Sequence, residues 1–336
     1  MTVLPGLWDM HVHTLYAGHP NIQYWHRTYT PRFAADIMPA AAVQLLMAGV
    51  TSARDMGAPP DAIFGVAARI ARGEIPGPTL YPAGPQLTHE PPDWALFYRR
   101  GVSGPADAGS KARQLLDAGA KLLKITDAES MTVDEIRAIV REARLRGAKV
   151  AAHGRTEAEI RIGLDGGVDE FEHIGVGDTG SEYSPALIEA IRARVAAGPP
   201  LFWTPTVGLP LNADALRDNP ESLDDPAAYR GLPESIAADV RKALAAFRPQ
   251  GAPTTAAIIR RKVAQLREAG VTLLVGTDAG LAGAPHGASM AQELEAWVSV
   301  LGIDAATVIR TATATAAAAV GAAESGAVTA GKYEVC

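Results

Sequence analysis

Residues 6–18 read GLWDMHVHTLYAG. An apolar run with the content of a buried strand ends in two histidines one residue apart. Side chains alternate faces along an extended strand, so His11 and His13 point the same way. Imidazole fills a strand poorly and binds metal readily. The pair reads either as a polar strand end entering solvent or as half of a metal site. The remainder of the chain discriminates between the two.

Short apolar runs alternate with longer amphipathic ones from end to end. The pattern predicts strands at residues 4–10, 50–54, 79–83, 121–125, 149–152, 170–172, 201–204 and 271–275. Helical spacing runs through 36–49 (DIMPAAAVQLLMAG), 105–120 (PADAGSKARQLLDAGA), 132–148 (TVDEIRAIVREARLRGA) and 254–270 (TTAAIIRRKVAQLREAG). Several of these end in Ala-Gly or Arg-Gly, the expected helix stop, and Thr132 with Glu135 has the spacing of a capping box. Eight strands, each followed by a helix, predict an α/β chain of the (β/α)8 TIM-barrel type. A doubly wound open sheet is the alternative, but no glycine-rich phosphate loop follows an early strand. Residues 84–104 and 205–253 break the alternation. Each follows a strand, which would place both on the C-terminal rim as substrate-binding loops.

Composition narrows the function. The chain has 336 residues, 48% hydrophobic and 20% charged, with net charge -6, a balance that speaks against nucleic acid or an acidic membrane surface as partner. Its one cysteine is Cys336, so no internal disulfide can form. The start lacks a basic region followed by an apolar one, and no uncharged apolar run is long enough to span a bilayer; a cytoplasmic location is the default expectation. The alanine-rich stretch from Thr311 to Ala323 reads as a buried helix.

The ends of the predicted strands carry the chemistry. The first gives His11 and His13, the fourth (AKLLKITDA) Lys124, the fifth (KVAAHGR) His153, the sixth (DEFEHIG) His173 and the eighth (LLVGTDAG) Asp278. A barrel gathers those ends into one ring. Histidine nitrogens with a carboxylate suit zinc, and an open coordination position leaves room for a water that ionises near neutral pH. Lys124 shares strand parity with Leu122, so if one faces inward both do. Beside divalent metal its ammonium is repelled, its pKa falls, and the neutral amine can take up carbon dioxide as a carbamate. Arg155 could clamp a carboxylate, while Tyr229 and His286 reach the substrate side only by rim position. Asp9, Asp55 and Glu172 are candidate hydrogen-bond acceptors for the ligand histidines.

The segments PGLWDMHVH, GVTSARD, AKLLKI, VAAHG, FEHIG and GTDAG, in that order, resemble the amidohydrolase superfamily over nearly the whole chain. GVTSARD, GTDAGLAGAPHGASMAQELEAWVSVLG and TATATAAAAVG resemble its imidazolonepropionase-like branch, which contains metal-dependent X-Pro dipeptidases. Imidazolonepropionase is mononuclear and lacks the lysine, so Lys124 points to the dipeptidase-like side. The resemblance implies a binuclear centre, with His11, His13 and Asp278 on one metal and His153 and His173 on the other. Carbamylated Lys124 and a hydroxide would bridge two divalent ions, expected to be Zn2+. Asp278 would act as general base and then general acid in cleaving an amide C–N bond of a small dipeptide or N-acyl amino acid. A lactonase or phosphotriesterase on the same metals, and a metal-binding relative without turnover, remain the alternatives.

Relatives carry a small β-sandwich built from chain on both sides of the barrel. Here only MTV precedes the first strand, and the chain stops at GAVTAGKYEVC. The expectation is a barrel over residues 1–322, a truncated tail over 323–336, and exposed apolar surface that favours a homo-oligomer. The third loop, GPQLTHEPPDW, also departs from the family's glycine- and histidine-rich form.

Overall fold

The computed structural model describes residues 3–175, 180–212, 225–247 and 256–330. Among the described residues there are ten strands: β1 (Leu7–Val12), β2 (Val50–Asp55), β3 (Thr79–Pro82), β4 (Gln86–Thr88), β5 (Arg99–Gly101), β6 (Leu122–Ile125), β7 (Lys149–His153), β8 (Glu170–Glu172), β9 (Phe202–Thr204) and β10 (Thr272–Leu273). All pairings are parallel, in a three-stranded sheet β1-β2-β3 and a seven-stranded sheet β10-β9-β8-β7-β6-β4-β5. Backbone hydrogen bonds bridge the two sheets at both edges: Met10 N to Val275 O (3.0 Å) and Asp278 N to His11 O (2.8 Å) on one side, Lys121 N to Pro82 O (2.8 Å) on the other. The arrangement is consistent with a (β/α)8 barrel.

The expected strands all appear, with shifted ends. β1 begins and ends later than its apolar run, so His11 lies within it and His13 just beyond. Residues 84–104 are not one loop. They contain β4 and β5, and β5 pairs on the outer side of β4, which brings Arg99 to the sheet edge. Residues 205–253 hold a turn of 3-10 helix (Pro226–Tyr229) and an α-helix (Glu234–Ala246); 213–224, 248–255 and 331–336 lie outside the described residues.

Side-chain parity explains how these strands serve two cores. Leu123, Ile125, Val150, Ala152 and Phe171 join the large cluster with Ile136, Ile139, Val140 and Ile160 of the flanking helices. Leu122 faces the other way and packs with Met56, Ala83 and Ala151 in a small separate cluster. Lys124 shares that inward parity and is fully buried, whereas Lys121 is exposed. A third cluster unites Trp8, Met10, Phe202 and Leu274 with Ala316, Ala317 and Ala319, so the alanine-rich stretch is buried as its composition predicts. Among the described residues, no helix is long and apolar enough to cross a membrane.

Two helices that follow site-bearing strands each start with a capping box. Thr132 accepts from Glu135 N while Glu135 accepts from Thr132 N at the start of the helix Val133–Leu145. Thr156 and Glu159 repeat the device three residues after His153. Replacing Thr132 by Ala should cost about 1 kcal/mol of stability in urea titrations of the purified protein. An unchanged midpoint would mean that the cap contributes nothing.

Candidate metal centre

The C-terminal ends of β1, β6, β7 and β8, with the segment after β10, bring His11, His13, Lys124, His153, His173 and Asp278 together. Asp278 Oδ1 lies 3.3 Å from both His11 Nε2 and His13 Nε2, and Oδ2 lies 3.7 Å from His173 Nδ1. Imidazole centroids are 5.2 Å apart for His11 and His13, 4.8 Å for His11 and His173, and 4.9 Å for His153 and His173. Ligand atoms of His11, His173 and Asp278 all fall within 4.8 Å of one another, a group able to hold a metal ion.

Backbone geometry aims these groups. His173 (φ 69°) and Asp278 (φ 57°) both occupy the left-handed region, which is costly for residues with a Cβ and is held here by the surrounding contacts. His13 N donates to Ala279 O (2.8 Å), clipping the segment after β10 onto the end of β1. Glycine makes that approach feasible: a Cβ at Gly276 would lie 2.8 Å from His11 N, and one at Gly280 2.3 Å from His13 O.

Beneath the imidazoles runs a buried polar chain. His11 Nδ1 is 2.6 Å from Glu172 Oε2, which fixes the proton on Nδ1 and leaves Nε2 free to ligate. Arg54 Nη2 donates to Glu172 (3.0 Å) and to Glu170 (2.5 Å), Nη1 donates to Glu170 (2.5 Å), and Nε donates to Met10 O (2.7 Å). Thr204 Oγ1 donates to Glu170 (2.7 Å). On the far side, Thr206 Oγ1 lies 3.0 Å from His173 Nδ1, and the next two backbone N–H groups, of Val207 and Gly208, donate to buried Glu293.

The electrostatics follow from burial and from these pairings. Burial pushes the His11 pKa down, yet Asp278 and Glu172 outweigh it and leave it raised. Burial holds His13, His153 and His173 below the usual imidazole value, the form that ligates metal. Burial would raise Glu172 and Asp278, but neighbouring cations keep both well below the carboxylate range, Glu172 at about 2. Lys124 is lowered by burial to about 8, against the pull of Glu172 and Asp278.

Sequence expectations fare unevenly at this site. Glu172 does accept from the His11 ring. Asp9 and Asp55 instead bind backbone and hydroxyl donors: Asp9 takes His11 N, Thr277 N and Thr277 Oγ1, and Asp55 takes Thr14 N, Thr14 Oγ1 and Gly57 N. They brace the loops that carry the ligands. A cavity of about 390 Å³ opens over the centre, lined among others by His13, His153, His173, Asp278, Arg155, Arg99 and Gln86. Arg155 therefore faces it as expected. Tyr229 and His286 do not line it: Tyr229 is buried against the guanidinium of Arg241, and His286 is buried where its Cε1 would meet a Cβ on Gly280. Arg54, Glu170, Thr206, Gln86 and Arg99 escaped the sequence reading. Arg54 and Glu170 had a visible signal, each a charged residue inside a predicted strand.

This combination defines an α/β protein with a candidate metal centre at the C-terminal ends of parallel strands. The family model of the Amidohydrolase family matches residues 2–333, and the chain belongs to that family. Among solved structures, a candidate prolidase from Bifidobacterium longum is 26% identical, with TM-score 0.69 over 98% of this chain and 72% of that one. A prolidase complexed with N-methylphosphonate-L-proline is 24% identical, with TM-score 0.71 over 98% and 78%. Aspergillus niger ochratoxinase (A. niger) is 22% identical, with TM-score 0.70 over 99% and 75%. The last two, at these identities, share the fold. No curated protein sequence matches the chain significantly.

Replacing Glu172 by Gln removes the charge that orients His11. Zinc affinity should fall about 10–100-fold in competition titrations with a chromophoric chelator. Unchanged affinity would remove Glu172 from any role in setting the centre.

Proposed function

We propose that this protein is a binuclear metal-dependent hydrolase that cleaves an amide C–N bond of a small dipeptide or N-acyl amino acid, on a closed (β/α)8 barrel. The observation that carries the reading is a set of buried ligand-type atoms at one rim with no hydrogen-bond partner among the described residues: His11 Nε2, His13 Nδ1, Lys124 Nζ, His153 Nδ1 and Asp278 Oδ1. Buried polar atoms are almost always satisfied, and so many orphans around one carboxylate fit bound cations. His11, His13 and Asp278 would hold one ion, His153 and His173 a second, with carbamylated Lys124 as the shared anionic ligand. Zinc matches this mixture of nitrogen and oxygen donors.

Divalent metal, when bound, polarises the scissile carbonyl and acidifies a water molecule. The chain's own groups do the remainder. Asp278, ionised and touching the imidazoles, takes the proton released as water oxygen attacks the carbonyl carbon. It returns that proton to the nitrogen as the C–N bond breaks, giving a carboxylic acid and an amine. Glu172 and Thr206 keep His11 and His173 in one orientation. Arg155 faces the cavity from the rim and orients the substrate. The family membership and the prolidase-type structure at 26% identity support the choice of an amide bond.

A panel of dipeptides and N-acyl amino acids, run beside lactones and phosphotriesters, tests this directly. Amides should be hydrolysed, and Asp278→Asn should lower turnover by about 10²–10⁴-fold while retaining metal. Turnover confined to lactones or phosphotriesters would replace the substrate class. Full activity in Asp278→Asn would remove the proton-transfer role.

A further inference from the structure

The cavity has a second polar end that takes no part in the proton transfer. Arg99 and Arg155 both line it, and they come from different elements, β5 and the turn after β7. One residue aligns them. Asp127 accepts from Arg99 Nη1 through Oδ2 (2.8 Å) and from Arg155 Nη2 through Oδ1 (3.2 Å). Asp127 sits in the left-handed region (φ 51°), immediately after Thr126 at the end of the strand that carries Lys124. Arg99 stacks its guanidinium 5.6 Å from the Tyr98 ring centroid, the Arg155 backbone N–H donates to Glu159 (2.8 Å), and Asp127 pairs with both guanidinium groups, so both cations are held in place before any ligand arrives. Glu159 Oε1 lies 3.9 Å from Arg155 Nη2, at the limit of an ion pair. A single carboxylate thus shares two guanidinium groups, leaving N–H donors to spare.

Two orphaned atoms show that this end is built for a ligand. Arg99 Nε is buried with no partner among the described residues, and so is Gln86 Oε1. Gln86 is almost wholly buried, and its amide orientation is fixed because Nε2 donates to Met56 O (3.1 Å). A pair of cations beside a lone acceptor suits a molecule that carries both an anion and an N–H. A dipeptide has both groups, an amine on the acyl side of the bond to be cleaved and a carboxylate on the amine side.

We propose that Arg99 and Arg155, aligned by Asp127, form an anion subsite that takes the free α-carboxylate on the amine side of the substrate, with Gln86 Oε1 receiving an N–H of the acyl side. The subsite selects substrates with a free C-terminus. It deepens the amide-hydrolase reading and rests on it, and it excludes neutral lactones and triesters as the preferred class.

The test measures kcat/KM and calorimetric binding for dipeptides and N-acyl amino acids, each as the free acid and as the C-terminal amide. The wild-type protein should prefer the free acid by about 30-fold, the value of charge-assisted hydrogen bonds to a carboxylate. Arg155→Met, at a half-exposed side chain, and Arg99→Met should each lose most of that preference through KM, with kcat little changed; the double variant should treat acid and amide alike. Hydrolysis of acid and amide at equal efficiency by the wild-type protein would overturn the anion subsite and leave the hydrolase reading standing. Binding of free acids that depends on both arginines, without hydrolysis, would keep the subsite and overturn the hydrolase reading. Neither binding nor hydrolysis across the panel would overturn both.

Discussion

The site depends on one buried hydrogen bond, that between His11 and Glu172 (2.6 Å). Glu172 remains an anion away from solvent because His11, Lys124 and Arg54 surround it, and Arg54 is in turn balanced by Glu170. Removing one member of such a chain strands a charge in the interior, at a cost of about 3–5 kcal/mol. The consequence reaches the rim: with the proton fixed on Nδ1, His11 Nε2 points to Asp278 as an acceptor in search of a cation. Below the centre the protein has arranged fully paired charges, and at the centre it has left them unpaired.

That contrast separates what the sequence discloses from what it hides. Period-two alternation is a local property, so the sequence places Lys124 on the same face as Leu122, and the packing of Leu122 identifies that face as the inward one. The six strand-end residues were legible for the same reason, since each sits at the end of an apolar run. The capping box of Thr132 and Glu135 was legible because its residues are three apart, and that of Thr156 and Glu159 has the same spacing. Contacts that depend on how loops return were not. Asp9 and Asp55 are acidic neighbours of ligand histidines in sequence, yet they satisfy backbone donors of distant loops. The strands β4 and β5 were hidden in a proline- and aromatic-rich segment whose three-residue strands are too short to show a period. Tyr229 and His286 were placed by rim position alone, which does not determine which way a loop residue turns.

Strain is concentrated where the chemistry is. Among the described residues, the non-glycine residues at positive φ are Asp127, His173, Thr206 and Asp278. Two face each other across the centre, one hydrogen-bonds the ligand histidine, and one aligns the arginines of the rim. Buried Glu293 underpins this by holding the backbone N–H groups of Val207 and Gly208, and burial raises its carboxyl to about 7. A backbone held in costly conformations by such anchors keeps side chains oriented before a ligand binds.

The central claim is that the rim assembles two cations around an anionic lysine. Elemental analysis of the purified protein, expressed with zinc and bicarbonate and normalised to protein concentration, tests it most directly. The account predicts about two metal ions per chain, falling sharply in Lys124→Ala. A content close to zero, or one indifferent to the loss of Lys124, would contradict it.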